Sequence, residues 1–503
     1  MDANLAVVAS GHPAVSAAGA AILRAGGNAF DASVAAGFAS TVAEPALTSL
    51  GGGGFLLAYE AASGKATAFD FFVDTPGRGR TSVALEPHFI PITVHFTESD
   101  QVFNAGRGSV AVPGTLKGLL HVHERLGRLP LEDVLEPAVS LAREGIRLNQ
   151  HQAHFLEILH PIMCLTPDSR GLYTRDGRPF AVGDRWRNPE LARFLETLAG
   201  DRGASFYEGA LAQRIDHEMR EDGLLSAEDL AGYRVIERTP LGVEYRGHRV
   251  LTNPPPSFGG SLVTFSLKLL ETQPLAELGW GSEDHLALLV TLQMEVDRLR
   301  ETGCLSPADP VPEAPAQSVQ RLRQAVRGTT HICVADAEGN VASMTNSNGE
   351  GSGFVAPESG IMLNNMMGED DLHPEGVHAS PAGERVASMM SPSLVLRDAR
   401  PRLALGSGGS KRIRCAILQT ITQVIDFERE LETAVAAPRI HWDGNTLQIE
   451  PGFPRETVDG LARRWPINLW QACDVYFGGV HALVPGQCGA ADFRRGGAVE
   501  IVG

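Results

Sequence analysis

The chain has no Cys-x-x-Cys pair. Its six cysteines, Cys164, Cys304, Cys333, Cys415, Cys473 and Cys488, are scattered and have no histidine at metal-ligand spacing. That excludes a disulfide framework and a zinc ribbon, and the thiols read as small buried hydrophobes in a reducing compartment. No run of about 18 apolar residues occurs, so no transmembrane helix is expected. The opening residues Met1-Asp2-Ala3-Asn4 lack a basic segment followed by an apolar core, which predicts a cytoplasmic protein without a leader. Positive charge is short as well: 43 Lys and Arg stand against 60 Asp and Glu, a formal net charge of −17. Nucleic acid and anionic membranes are therefore unexpected partners. There is no Gly-x-Ser-x-Gly elbow, which excludes a serine α/β-hydrolase.

What is present is an ordinary globular composition. With 503 residues, 43% hydrophobic and 20% charged, the chain is long enough for a large core in two or three domains or one large α/β unit. Apolar spacing at Val15, Ala18, Ile22 and Leu23 predicts a helix that breaks at Gly26-Gly27, and a second begins near Asp31. The run Gly51-Gly52-Gly53-Gly54 enters a strand without the following Lys-Ser/Thr that a phosphate loop needs. It reads as backbone packed too tightly for side chains. His151, His154 and His160 share a predicted helix but have no clustered carboxylate, so surface or core roles are expected and no metal site. Residues 304–328, rich in Pro, Ala, Gln and Arg, read as an exposed linker.

Beyond that linker comes the most informative stretch, Arg327-Gly328-Thr329-Thr330-His331-Ile332-Cys333-Val334-Ala335. A β-leaning run, the turn Glu338-Gly339-Asn340 and a second run from Val341 to Thr345 predict a hairpin, with Gly and Asn supplying positive φ. Thr-Thr at the start of a strand is common. It gains chemical meaning if the Gly328–Thr329 bond is cut, because Thr329 then carries a hydroxyl and an α-amine side by side. An amine with a pKa of about 7.7–8.0 can serve as that hydroxyl's base.

The segment Thr329-Thr330-His331 through Gly353, followed by Glu358-Ser359-Gly360 and Asn364-Asn365, resembles the autoprocessing region of the gamma-glutamyltranspeptidases. The likeness runs from about Val7 to the last strand. It includes Gly26-Gly27-Asn28-Ala29-Phe30-Asp31-Ala32, Val112-Pro113-Gly114-Thr115 and Phe258-Gly259-Gly260-Ser261. The resemblance implies an α/β fold of the N-terminal-nucleophile hydrolase kind. Helical segments at 12–43, 113–143 and 258–300, followed by a strand-rich C-terminal part, fit its four-layer αββα sandwich. It also implies self-cleavage between Gly328 and Thr329 into a large chain, 1–328, and a small chain, 329–503, that stay together as a heterodimer. Thr329 would be the nucleophile, Gly408 and Gly409 would form the oxyanion hole, and Thr345 and Ser347 would bond near the nucleophile. No cofactor is implied; the partners are a small amide or gamma-glutamyl substrate and an acceptor, water or an amine.

The substrate side departs from the family pattern. Phe72 stands where an Arg holds the α-carboxylate of the glutamyl group, with Arg78, Arg80 and Arg107 as nearby cations. Met366 and Glu369 stand where a Gln and an Asp hold the α-amine. Met389 replaces one Ser of a carboxylate-binding pair and leaves Ser388, while Asn348 matches a further Asn. Glu369, Asp370 and Asp371 also read as a solvated acidic turn. Three functions follow: a gamma-glutamyltransferase or glutathione hydrolase, a family acylase acting on a non-glutamyl amide, and an inert scaffold. Retention of Thr329, Gly408 and Gly409 argues against the last. On denaturing gels the purified protein is expected to give two bands, 1–328 and 329–503, the smaller starting Thr-Thr-His; a single uncut band from active protein contradicts this.

Overall fold

The structure, a computed structural model, describes residues 5–80, 87–96, 99–301, 328–369, 372–373, 376–377 and 379–503. The expected linker before Gly328, and Asp370 and Asp371 of the acidic turn, lie outside the described residues.

Among the described residues the strands form two large antiparallel sheets. The strands are β1 (Ala6–Ser10), β2 (Gly53–Glu60), β3 (Lys65–Phe71), β4 (Ile236–Arg238), β5 (Leu241–Tyr245) and β6 (His248–Thr252). They continue with β7 (Thr330–Ala335), β8 (Val341–Ser347), β9 (Ser393–Arg397), β10 (Arg400–Gly408), β11 (Gly479–Val484), β12 (Cys488–Ala491) and β13 (Ala498–Val502). The first sheet runs β4-β3-β2-β8-β7-β1-β13 and the second β5-β6-β9-β10-β11-β12. The predicted hairpin is therefore the centre of the first sheet, with β8 paired to β2 and β7 to β1.

Helices α1 (Pro13–Arg24), α2 (Ala29–Ala43) and α3 (Thr115–Leu126) cover the outer face of the first sheet, and α4 (Leu131–Glu144) packs on α2. Helices α5 (Phe258–Leu270) and α7 (Ile413–Ile425) cover the second, and α6 (Glu283–Glu301) packs on α5. Four layers need three apolar seams, and three are present. Val34, Phe38, Ile332 and Val334 lie in the outer seam of the first sheet. Leu262, Leu267, Ile417 and Ile421 lie in that of the second. Val7, Leu57, Cys333, Leu394 and Leu483 fill the space between the sheets. The fold is thus the expected αββα sandwich.

Helix α2 shows how composition sets a position. All of its residues are buried, so it has no polar face and belongs in the middle of the helical layer. Small residues let neighbours close in: a Cβ on Gly37 would stand 2.6 Å from Leu119 Cδ2. Asn28 caps it, accepting from Phe30 N and Asp31 N at 2.9 Å each. The hairpin turn adds a second tie, since Asp336 Oδ2 accepts from Ala29 N at 2.9 Å. Within that turn only Gly339 takes positive φ; Asn340 instead bonds through its side chain to Asp336 and Ala61.

The glycine run is packed backbone, as read. A Cβ on Gly52 would stand 2.1 Å from Ser347 O, and one on Gly54 would stand 2.6 Å from Thr345 O. His151 and His154 lie on the helix Gln150–Ile158, while His160 starts a separate short one. Among the described residues no cluster of His, Cys, Asp or Glu fits a metal ion, and no helix is long and apolar enough to cross a membrane. A hairpin at Ile90–Phe96 and Ser99–Ala105 was not foreseen.

Because β7 and β8 sit between strands from the first part of the chain, residues 1–328 expressed alone are expected not to melt cooperatively. Co-expression with 329–503 should restore the transition; a soluble, cooperative 1–328 would contradict the interleaving.

Candidate active site

Strand alternation sorts the hairpin's side chains into two environments. Ile332 and Val334 point into the helical seam, and Cys333 and Ala335 point between the sheets. His331 and Thr329 share the face of Cys333, opposite Thr345 and Ser347 of β8. Thr330 points to the α2 side and donates to Glu44 Oε1 at 3.0 Å.

The junction at Gly328 is tightly held. Ser347 Oγ donates to the Gly328 carbonyl at 2.6 Å and lies 3.4 Å from Thr329 Oγ1. It also accepts from Gly349 N at 3.0 Å. One hydroxyl thus touches both the Gly328 carbonyl and the Thr329 hydroxyl. Arg495 Nη1 donates to the Thr329 carbonyl at 2.9 Å. Gly408, at the end of β10, lies against the same carbonyl, because a Cβ there would stand 2.3 Å from Thr329 O. Gly409, at φ 122°, turns the chain out of the strand.

Thr345 lies one step deeper. Its hydroxyl pairs with His331 Nδ1 at 2.8 Å, while His331 Nε2 meets Cys333 Sγ at 3.0 Å. Burial holds His331 well below its usual pKa, so this layer is neutral at pH 7.

Above Thr329 opens a cavity. Its apolar walls are Phe72, Met366, Leu372, Met389, Met390 and Ile413, and its polar lining is Thr329, Ser347, Ser388, Ser410 and Glu369. The fold therefore gathers Phe72, Met366, Glu369, Ser388 and Met389 around Thr329 and Ser347. Asn348 is not part of the lining; its amide reaches toward Leu363 O. Glu369 is buried in the wall, not displayed on a solvated turn.

Among the described residues the lining includes no Lys or Arg. Arg80 pairs with Asp216 at 3.1 Å, and Arg107 with Glu218 at 3.1 Å and Asp222 at 3.4 Å. Arg78 is likewise not part of the lining, so none of the three cations replaces the family's Arg. Arg385 sits behind Phe72, paired with Asp74 at 3.1 Å and bonded to the Phe72 carbonyl and to Tyr233 Oη. Burial raises Asp74 to a pKa of about 6 against the pull of that guanidinium. Phe72 itself stacks on Phe55, ring centroids 5.4 Å apart.

A profile of the gamma-glutamyltranspeptidase family matches residues 15–301 and 296–502. This chain belongs to that family. It is 32% identical to the glutathione hydrolase proenzyme of Escherichia coli (strain K12), over 91% of this chain and 84% of that protein. It is 33% identical to the acylase ACY 1 proenzyme of Pseudomonas sp. (strain SE83), over 91% of this chain and 86% of that protein. The crystal structure of cephalosporin acylase from Bacillus halodurans superposes with a TM-score of 0.83 at 26% identity, covering 99% of this chain and 96% of that one. The protein is accordingly an enzyme of the acyltransferase and amidohydrolase class.

Several site residues were not singled out from the sequence. Met390 follows Met389 and Ser410 follows Gly409, and Ser410 takes φ 54°, unusual for a residue with a Cβ. Glu44 had a signal of its own as the sole charge between Asp31 and Glu60. For Arg495 there was none. Gly408→Ala is expected to cut self-cleavage and turnover together by about 100-fold or more, because its methyl meets a backbone oxygen and not a yielding side chain. Unchanged rates in the folded variant would remove Gly408 from the site.

Proposed function

We propose that the protein is a self-processing N-terminal-threonine enzyme of the gamma-glutamyltransferase type. In the precursor, Thr329 Oγ1 attacks the Gly328 carbonyl carbon. The C–N bond breaks, the freed α-amine takes the proton, and the acyl group is left as an ester on Thr329. Water then cleaves the ester, leaving a large chain with a Gly328 carboxylate and a small chain with a Thr329 α-amine, held together as a heterodimer. The contact of Ser347 with both Thr329 Oγ1 and Gly328 O is the observation that carries this reading.

The mature reaction repeats the same chemistry on a substrate amide. The α-amine takes the hydroxyl proton as the ester forms and delivers it to the departing amine. Water or an acceptor amine then takes the acyl group. Gly408 and Gly409 would steady the oxyanion, and Ser347 would orient the nucleophile. Free cysteines among the described residues fit a reducing, cytoplasmic setting, which cell fractionation tests.

Within this activity, the cavity favours an acyl group without an α-carboxylate. A carboxylate that has lost its charge-assisted partner forgoes about 1.5–3 kcal/mol, roughly 10- to 150-fold in binding. Phe72, Met366 and Met389 offer apolar surface in its place. The likeness to an acylase proenzyme supports this second reading, and the likeness to a glutathione hydrolase proenzyme supports the first.

Side-by-side assay of gamma-glutamyl and simple acyl anilides separates the two. Wild-type enzyme is expected to prefer the acyl anilide by at least about tenfold in kcat/KM. Phe72→Arg should move that ratio toward the gamma-glutamyl substrate, and Thr329→Ala should abolish cleavage and turnover. Using a ratio removes the effect of stability lost with the Phe55 stack. Efficient gamma-glutamyl hydrolysis by the wild type, unaffected by replacing Arg78, Arg80 and Arg107, would refute the carboxylate-free preference.

A further inference from the structure

Two buried charges bracket Thr329 and Thr330 without an ion pair within 4.0 Å joining them among the described residues. Glu44 is 1% exposed and accepts from Thr330 Oγ1 at 3.0 Å, while its Oε2 has no hydrogen-bond partner among the described residues. Arg495 is 2% exposed and donates to the Thr329 carbonyl at 2.9 Å, while its Nε and Nη2 are without partners there. The turn that begins at Glu44, closed by Leu47 N to Glu44 O at 2.9 Å, also abuts the residue before the nucleophile. A Cβ on Gly328 would stand 2.9 Å from Ala46 O.

We propose that Glu44 is a positioning residue which, with Arg495, fixes the Thr329–Thr330 backbone and supplies a negative charge beside the α-amine that cleavage creates. The proposal rests on the reading of Thr329 as nucleophile. A buried carboxylate with an unsatisfied oxygen is a poor source of stability, so its place under the nucleophile calls for a functional reason. Burial raises its pKa to about 7, opposed by the Thr330 bond and the Arg495 charge. The other charges facing Arg495 are Asp492, Arg412 and Asp474. His12, next to the Gly11 that abuts Glu44, is held neutral, its pKa lowered by burial to about 4. His331 on the opposite face of β7 is neutral as well.

The sign follows from the charges. A carboxylate favours the ammonium form of a nearby amine, and Thr329 needs the free amine to accept its hydroxyl proton. Removing the charge lowers the amine pKa and shifts the acid limb of the pH–rate profile to lower pH.

Full-length Glu44→Gln, which keeps an acceptor for Thr330, tests this. Self-cleavage is expected to slow about tenfold, KM to hold, and the acid limb of kcat/KM to fall by roughly half a pH unit or more. Thr330→Val, which cuts the link and keeps the charge, should slow cleavage without moving the limb. Unchanged cleavage in Thr330→Val, or a Glu44→Gln enzyme altered only in Tm, overturns the proposal. If Glu44→Gln does not fold, the cleavage rate of Thr330→Val decides. An uncut yet active wild type would instead refute Thr329 as the nucleophile.

Discussion

The register of β7 between β1 and β8 is the constraint on which the site depends. Thr329 and Thr330 are chemically identical, and only the alternation of the strand distinguishes them. One faces the cavity beside Ser347; the other faces Glu44. A slip of one residue would exchange them and turn His331 and Cys333 into the helical seam. That register is held on both sides by strands and at the turn by Asp336, which ties the hairpin to the start of α2. Thr329 is thus placed at the start of a strand in the middle of a seven-stranded sheet.

Close approach of the two sheets is the second requirement, and glycine meets it. A Cβ on Gly406 would stand 2.2 Å from His331 Cε1, so a larger residue in β10 would push the sheets apart beneath the site. In that space His331 meets Thr345, Cys333 and Ser343, a neutral polar layer that locks β7 to β8. Cys333 fits because a thiol is small and tolerates burial, which pushes its own pKa far up.

Much of the fold was legible because its elements carry strong local signals. The break at Gly26-Gly27, the 332–345 hairpin and the helices at 113–143 and 258–300 all appear close to where periodicity and turn residues put them. The hairpin at Ile90–Ala105 was missed, since its alternation is interrupted by Pro91 and by polar residues such as Asp100 and Gln101. At the site, likeness to a family brought Phe72, Met366, Ser388 and Met389 to attention across more than 300 positions, which no local pattern could do. What sequence could not supply was distance. Arg78, Arg80 and Arg107 were equal candidates until the fold paired Arg80 with Asp216 and Arg107 with Glu218 and Asp222. Arg495, remote in sequence, proved to touch the Thr329 carbonyl.

The proposed preference for an acyl group without a carboxylate rests on two features of the cavity. The first is the lack of a Lys or Arg among the described lining residues, while Arg385, behind Phe72, is already engaged by Asp74, Tyr233 and the Phe72 carbonyl. The second is Glu369, a buried acid within the lining. Its carboxyl group would suit an acyl group bearing a hydrogen-bond donor, with the methionines adapting to its apolar body.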